Sequence, residues 1–319
     1  MLSKQKYLDN VRDVLDSSAR EHATTFDNDY CFDSIVHEGF AKIAIKVSLT
    51  IDDVEPPTRA ELSRICPFLR CTPLIIGERT RKRPLQDGVV HTRGSISAIT
   101  LGTLRRMLED KKFPLIVAKK GGIYVVVNGA KLKKAREALN FSRGDIANEL
   151  GLSRRAIYEY ERGSMSPTID VAIQLEQLLE TQLIEPLNLL EQDATPSIQD
   201  TSREAAETPT QLARKASEVF FRLGFDSTIT HDTPFDMLTA LQHQVILSYL
   251  KQRLERLDID RLLFLAELAD VLNEEPAIIS SEKAKEEAIG GIPVIYLKEL
   301  LEIKTPKEFI QLIRSRRGA

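Results

Sequence analysis

Only three cysteines occur in 319 residues, Cys31, Cys66 and Cys71. Three thiols make no disulfide framework, which excludes a small stapled secreted scaffold. Cys66 and Cys71 lack the close Cys-x2-Cys spacing of a zinc site and have no histidine nearby, so packed, reduced thiols are expected. The five histidines, His22, His37, His91, His231 and His243, are scattered without ligand spacing. No metal and no other cofactor is expected. No run approaches the ~20 apolar residues of a membrane span. The opening MLSKQKYLDNVRDVLDSS is polar and amphipathic, unlike a signal sequence. A cytoplasmic protein with no membrane partner is expected. Gly-x-Ser-x-Gly is absent, and Lys119-Lys120-Gly121-Gly122 lacks the spacing and the Ser/Thr of a phosphate loop. Positive charge is not in excess either. The net charge is −3, so nucleic-acid binding must come from a local basic patch.

What is present centres on residues 143–162, RGDIANELGLSRRAIYEYER. The stretch has the pattern of a helix-turn-helix. Ala147 is the small residue where two helices cross, and Gly151 tolerates the positive φ of the turn. Ile146, Leu150, Leu152, Ile157 and Tyr160 fall where apolar anchors belong. Ser142 with Asp145 suggests a capping box, Ser153 a second cap, and Gly163 a stop. This order resembles the Cro and lambda-type repressor family, from Leu132-Lys133-Lys134-Ala135-Arg136 through to Gly163 and Pro167. Two positions depart from the usual pattern. Arg143 stands where the family most often has Gln, which suggests altered contacts near the helix start. Gly144 is a poor second helical residue and predicts a frayed first turn.

Length implies two to three domains. Residues 2–18 read as an amphipathic helix with Leu2, Tyr7, Leu8, Val11, Val14 and Leu15 on one side. Residues 32–36 and 41–49 read as strands, the second placing Ile43, Ile45, Val47 and Leu49 on one face. Pro56 and Pro57 break the chain before a helix at 59–66. Strands follow at 74–76, 89–91, 96–99, 115–117 and 124–127, with a helix at 101–108. The last two strands suggest a hairpin. Residues 1–127 are therefore expected as an α/β domain. Residues 128–190 hold the helical unit, with a first helix at 131–139 and a later one at 169–179 opened by Thr168. Leu183, Ile184, Leu187, Leu189 and Leu190 extend its apolar surface and read as core against a neighbouring domain rather than as a dimer seam. Residues 191–210 turn to Asp, Glu, Ser, Thr, Pro and Gln and read as a flexible acidic linker. Residues 211–319 form a second α/β stretch.

The two α/β stretches look alike. Phe32-Asp33-Ser34-Ile35 answers to Phe235-Asp236-Met237-Leu238, and Ile43 to Val47 answers to Ile246 to Leu250. Ala60-Glu61-Leu62 answers to Ala266-Glu267-Leu268. Pro73-Leu74-Ile75-Ile76 answers to Pro276-Ala277-Ile278-Ile279, and Gly94 to Ile99 answers to Gly290 to Ile295. The expected architecture is two related α/β domains flanking a small Cro/lambda-repressor-type all-α domain. The order of elements also resembles the restriction-endonuclease-like fold. That resemblance implies an Asp at one strand end and an acid-x-Lys on the next strand, which together hold a divalent metal. Here Asp33 and Lys46 are present, but Ala44 takes the second acid's place. In the other copy Asp236 is present, and Leu247 and Tyr249 take the acid and lysine places. Both copies are expected to be catalytically silent, and the protein not to be an enzyme.

In the repressor family the second helix enters the major groove. The resemblance therefore assigns DNA contacts to Ser153, Arg154, Arg155, Ala156 and Tyr158, which face outward if Ile157 and Tyr160 face inward. Arg154 and Arg155 each suit a guanine edge or a phosphate. Ser142 and Arg143 sit where helix-start N–H groups and a cation grip phosphate. Lys133 and Lys134 add charge with Lys131 and Arg136, and Arg162 completes the set. Residues 130–165 carry eight Lys/Arg against five Asp/Glu, a local net of +3. The run Glu78-Arg79-Thr80-Arg81-Lys82-Arg83 reads as a solvated loop, a second DNA-backbone contact or a docking surface.

The whole chain is similar to the archaeal HTH-type transcriptional regulatory proteins, on Pro73-Leu74-Ile75-Ile76-Gly77-Glu78-Arg79-Thr80 followed by Asp87-Gly88-Val89-Val90. The resemblance implies a sequence-specific regulator that binds double-stranded DNA as a homodimer, and it brings no known effector. The alternatives are a metal-dependent nuclease or DNA-processing enzyme, and a protein-binding scaffold.

Overall fold

The computed structural model describes residues 4–18, 21–25, 28–39, 41–119, 121–190 and 210–317. Leu2, Lys120 and all of the expected linker except Thr210 lie outside the described residues. Contacts divide the chain into two units, one of residues 1–47, 54–74 and 192–319, the other of 48–53 and 75–191. Residues 128–190 fall wholly in the second unit and 210–317 wholly in the first, and 1–127 are divided between the two.

In the first unit, α1 (Lys4–Ser17) buries Tyr7, Leu8, Val11, Val14 and Leu15, the stripe its periodicity dictates. β1 (Glu21–Thr24), β2 (Ser34–Glu38) and β3 (Ala41–Val47) pair antiparallel in that order. The two prolines expected to break the chain instead open α2 (Pro56–Leu69). The first helical positions need no N–H, so proline fits there without loss. The helix ends on Arg70 in the left-handed region, φ 52°. β4 (Thr72–Ile76) then runs across the division between the units.

The second unit continues with β5 (Val89–Arg93), β6 (Ile96–Ile99), α3 (Leu101–Glu109), β7 (Ile116–Lys119) and β8 (Gly122–Val127). Four helices follow, α4 (Gly129–Ala138), α5 (Arg143–Glu149), α6 (Arg154–Arg162) and α7 (Ile169–Leu179), then the short β9 (Ile184–Glu185). Sheet order here is β6-β5-β7-β8-β9. The helices are fastened to the sheet. Val125 N–H donates to the Pro167 carbonyl at 3.1 Å, Asn128 N–H to Leu183 at 2.9 Å, and β9 pairs with β8. The Glu176 carboxylate accepts from the N–H groups of Leu183 and Ile184 at 2.6 and 2.8 Å. Leu183 is buried with Val125 and Val127 in the helical core.

The rest of the first unit runs α8 (Gln211–Arg222), β10 (Asp226–Ile229), β11 (Met237–Leu241), β12 (Gln244–Lys251), α9 (Ile259–Leu272), β13 (Glu275–Ser280), β14 (Ala288–Ile289), β15 (Ile292–Tyr296), α10 (Leu297–Glu302) and α11 (Pro306–Arg316). The sheet order is β10-β11-β12-β13-β15-β14, with β12, β13 and β15 parallel. Phe220, Phe225 and Phe309 pack ring to ring at 5.2–6.1 Å in its core.

Two stretches of this unit share one order of elements. Each copy runs helix, three antiparallel strands, helix, strand. α2 and α9 each span 14 residues and end on a left-handed residue, Arg70 and Asn273. Aligning those caps sets Leu62 against Leu265, so the helical block slips by three residues from its expected partner. The copies pack reciprocally, α9 on β1 and β2, and α2 on β11. Lys42 donates to the Leu272 carbonyl at the end of α9, 2.5 Å. Arg70, at the end of α2, donates to the Gln242 carbonyl in the β11–β12 turn.

Candidate nucleic-acid interface

Each helix of the four-helix module starts on a side chain the sequence supplies for it. Asn128 accepts from Lys131 N–H at 2.8 Å, Ser153 from Ala156 N–H at 3.0 Å and Thr168 from Val171 N–H at 3.5 Å. Ser142 and Asp145 close a reciprocal box, 2.7 Å from Ser142 N–H to Asp145 and 3.1 Å back. The first turn of α5 is therefore closed, not frayed. Gly144 has a packing reason instead: a Cβ there would lie 2.8 Å from Arg154 Nε. The side chain of Arg154 lies across the start of α5, against the place a Cβ at residue 144 would take. Gly151 takes φ 62° in the turn and Gly163 φ 70° after α6. Leu132, Ile146, Ala147, Ile157, Tyr160, Ala172, Leu175 and Leu179 are the buried core of the module.

Asp145 is held below the usual carboxylate value, chiefly by the Ser142 N–H and then by its hydroxyl. A depressed pKa means the contribution is full above the ordinary value near ~4 and is lost as pH falls through the folded value. Asp145→Asn is expected to flatten the acid-side loss of α5 helicity between about pH 5 and pH 2, read residue by residue by NMR. An unchanged profile rejects the box as its cause.

The expected interface residues divide into groups. Arg154, Arg155 and Tyr158 are exposed on one side of α6, whose Ile157 and Tyr160 are buried. Arg155 is 87% exposed and 3.8 Å from Glu159. Ala156 is half-buried between them, and Ser153 uses its oxygen as the cap. Tyr158 lies between two guanidiniums, Arg143 at 5.1 Å and Arg162 at 5.5 Å from its ring, and Arg162 also donates to its hydroxyl at 3.3 Å. Such stacking orients the cations without neutralising them. Lys133, Ser142, Arg143, Gly144, Arg154, Arg155 and Tyr158 line one open concave surface, and the exposed Lys134 follows Lys133 on α4.

Arg136 is the exception among the expected surface charges. It is buried, donating to Glu161 at 2.5 Å, to the Phe141 carbonyl at 2.9 Å and to Glu137 at 3.1 Å. Glu161 is 2% exposed and also accepts from Arg143 at 2.7 Å. One carboxylate thus ties α4, α5 and α6 together. Sequence reading passed over it. The available signal was an acid in the last turn of a helix, where the dipole disfavours negative charge.

Residues 132–185 match the helix-turn-helix family, and residues 4–114 match the PD-(D/E)XK superfamily domain. A protein of Thermococcus gammatolerans named "Putative HTH-type transcriptional regulatory protein" is 31% identical over 98% of this chain and 96% of its own. The chain belongs to that family. Members similarly named in Methanocaldococcus jannaschii and Thermococcus kodakarensis are each 32% identical, over 89% of this chain and 89% and 87% of their own. No solved structure matches.

In this HTH-type family member the superfamily match implies a divalent metal, and the residues do not fit one. Asp33 accepts from Lys46 Nζ at 3.0 Å with one oxygen and from Val47 N–H at 2.6 Å with the other. Ala44 brings no oxygen to the place of the second acid. The other copy repeats the clamp. Asp236 accepts from Leu250 N–H at 2.7 Å and from Arg261 at 2.7 Å. Tyr249 stands at the lysine place, and the cation comes from α9, with Arg261 4.4 Å over the Tyr249 ring. Among the described residues no three His, Cys, Asp or Glu side chains gather to hold a metal. Cys31, Cys66 and Cys71 are buried and free, as expected of packed thiols. No helix among the described residues is long and apolar enough to cross a membrane.

Proposed function

We propose that the protein is a sequence-specific DNA-binding transcriptional regulator that lays α6 in the major groove of double-stranded DNA. One observation carries the reading: α6 turns Ile157 and Tyr160 into the core and leaves Arg154 and Arg155 outward, free of buried partners. Arg154 and Arg155 read base edges or phosphate, and Ser142, Arg143, Lys133, Lys134 and Arg162 hold the backbone on either side. Family membership supports the same role, since the relatives carry a regulatory name. Such helices bind half-sites about one DNA turn apart, so the working form is a homodimer.

Arg154→Ala with Arg155→Ala is expected to weaken binding to the cognate site by about 1–3 kcal/mol for each base contact removed. The cognate site comes from selection on random duplexes, and affinity from anisotropy titration. A folded double variant that selects the same sequences with the same affinity sinks the proposal. Metal-dependent DNA cleavage is the second reading, favoured by the superfamily match at 4–114 and opposed by the donor set around Asp33. The two differ in what Asp33 does, a metal ligand in one and a strand-end acceptor in the other.

A further inference from the structure

We propose that the loop between β4 and β5 is a second contact to the backbone of duplex DNA, carried on the same unit as the helix-turn-helix. The inference rests on the DNA-binding reading of α6. The loop's tip, residues 78–83, holds Arg79, Arg81, Lys82 and Arg83 against the single acid Glu78, a net of +3. Residues 78, 79 and 81–84 are exposed. A merely solvated loop needs no such charge and no special fastening, and this one is fastened at many points. Thr80 N–H donates to the Arg83 carbonyl at 2.8 Å, and the Thr80 hydroxyl accepts from the N–H groups of Lys82 and Arg83 at 3.1 and 2.9 Å. Leu85 N–H donates to the Glu78 carbonyl at 2.8 Å, and Ile51 N–H to Arg79 at 3.0 Å.

The acids beneath the tip anchor it without cancelling it. Asp52 takes Arg81 N–H at 2.7 Å and Arg93 Nε at 2.7 Å, and Asp53 takes Arg81 Nε at 3.0 Å. Burial would raise Asp52, but these donors outweigh it and hold its carboxyl low. Arg79, Lys82 and Arg83 are left with no ion pair among the described residues. The local potential is felt by the buried His91, whose pKa is lowered by burial first and then by Arg93 and Arg83.

The repeat supplies an internal comparison. In the other copy, the segment after β13, residues 282–287, carries two lysines against three glutamates, a net of −1. The basic tip is therefore not a demand of the fold. It occurs in the copy whose loop shares a unit with the DNA-reading helices. Basic side chains on a backbone held in a fixed turn suit a line of phosphates, because little backbone freedom remains to be lost on binding.

The test is the salt dependence of binding to a random-sequence duplex of about 60 base pairs, at ~0.9 of slope per phosphate contact. The full chain is compared with R79A/K82A/R83A and with R154A/R155A by fluorescence anisotropy. The loop variant is expected to lower the log–log salt slope by about 2 to 3 and to weaken binding at every salt concentration. The milder K82Q/R83Q removes only side chains without ion pairs and guards against a folding artefact. It should lower the slope by about 1 to 2. An unchanged slope in either loop variant, with R154A/R155A weakened, overturns the loop contact and leaves the helix reading intact. Loss of binding in the loop variants with R154A/R155A unaffected supports the loop and assigns Arg154 and Arg155 to base edges rather than to phosphate.

Discussion

Glu161→Ala is expected to destabilise the helix-turn-helix by about 3–5 kcal/mol, the range for breaking a buried ion pair from one side. Glu161 is 2% exposed and holds Arg136 and Arg143. Arg136 itself is nearly buried, so the variant strands a guanidinium with only the Phe141 carbonyl and the exposed Glu137 as partners. The start of α4 runs against the same place. A Cβ on Gly129 would lie 2.4 Å from the Glu161 carbonyl, so the helices have no slack to close the gap. Urea denaturation followed by circular dichroism measures the cost. Arg136→Met added to Glu161→Ala should recover much of the loss, because two apolar partners leave no buried charge behind. A single variant within about 1 kcal/mol of the parent shows the hub to be ornamental.

Asp33→Ala is expected to cost about 3 kcal/mol of stability, since it leaves the buried Val47 N–H without its acceptor and Lys46 without its carboxylate. A metal ligand behaves in the opposite way. Carboxylates gathered for a metal repel one another, so removing one is neutral or stabilising and abolishes cleavage. The paired measurement is denaturation of Asp33→Ala and nicking of supercoiled plasmid by the parent with Mg2+. A large loss of stability and no nicking support the clamp. A stable variant, with nicking by the parent that the variant lacks, establishes the nuclease reading. Asp236→Ala should behave like Asp33→Ala, because its oxygens are engaged in the same way by Leu250 N–H and by Arg261.

The sequence carried the strand blocks of the two stretches, the caps at Ser142, Ser153 and Thr168, and the turn glycines; the cap at Asn128 went unread. It misread three places, each for a physical reason. Pro56 and Pro57 signal a break only in mid-helix, and at a helix start the same ring fits. Gly144 reads as a weak helix former because propensity is local, whereas the Ser142–Asp145 box closes that turn and the Arg154 side chain from another helix packs over it. The helical block of the repeat slipped because matching Ala-Glu-Leu triplets outweighed the caps, which lie beyond them in the chain.

Local chemistry determined where α5, α6 and α7 begin, and which side of α6 carries arginine, since caps, turns and periodicity act over a few neighbouring residues. Folding in three dimensions decided which charges remain available. Arg136 and Arg154 look alike in the chain, yet one is spent on a buried carboxylate 25 residues away and the other lies at the surface over a glycine. The same holds for Asp33, whose oxygens are taken by Lys46 and the Val47 N–H. Partners so far apart in sequence are chosen by packing, and no local rule encodes them.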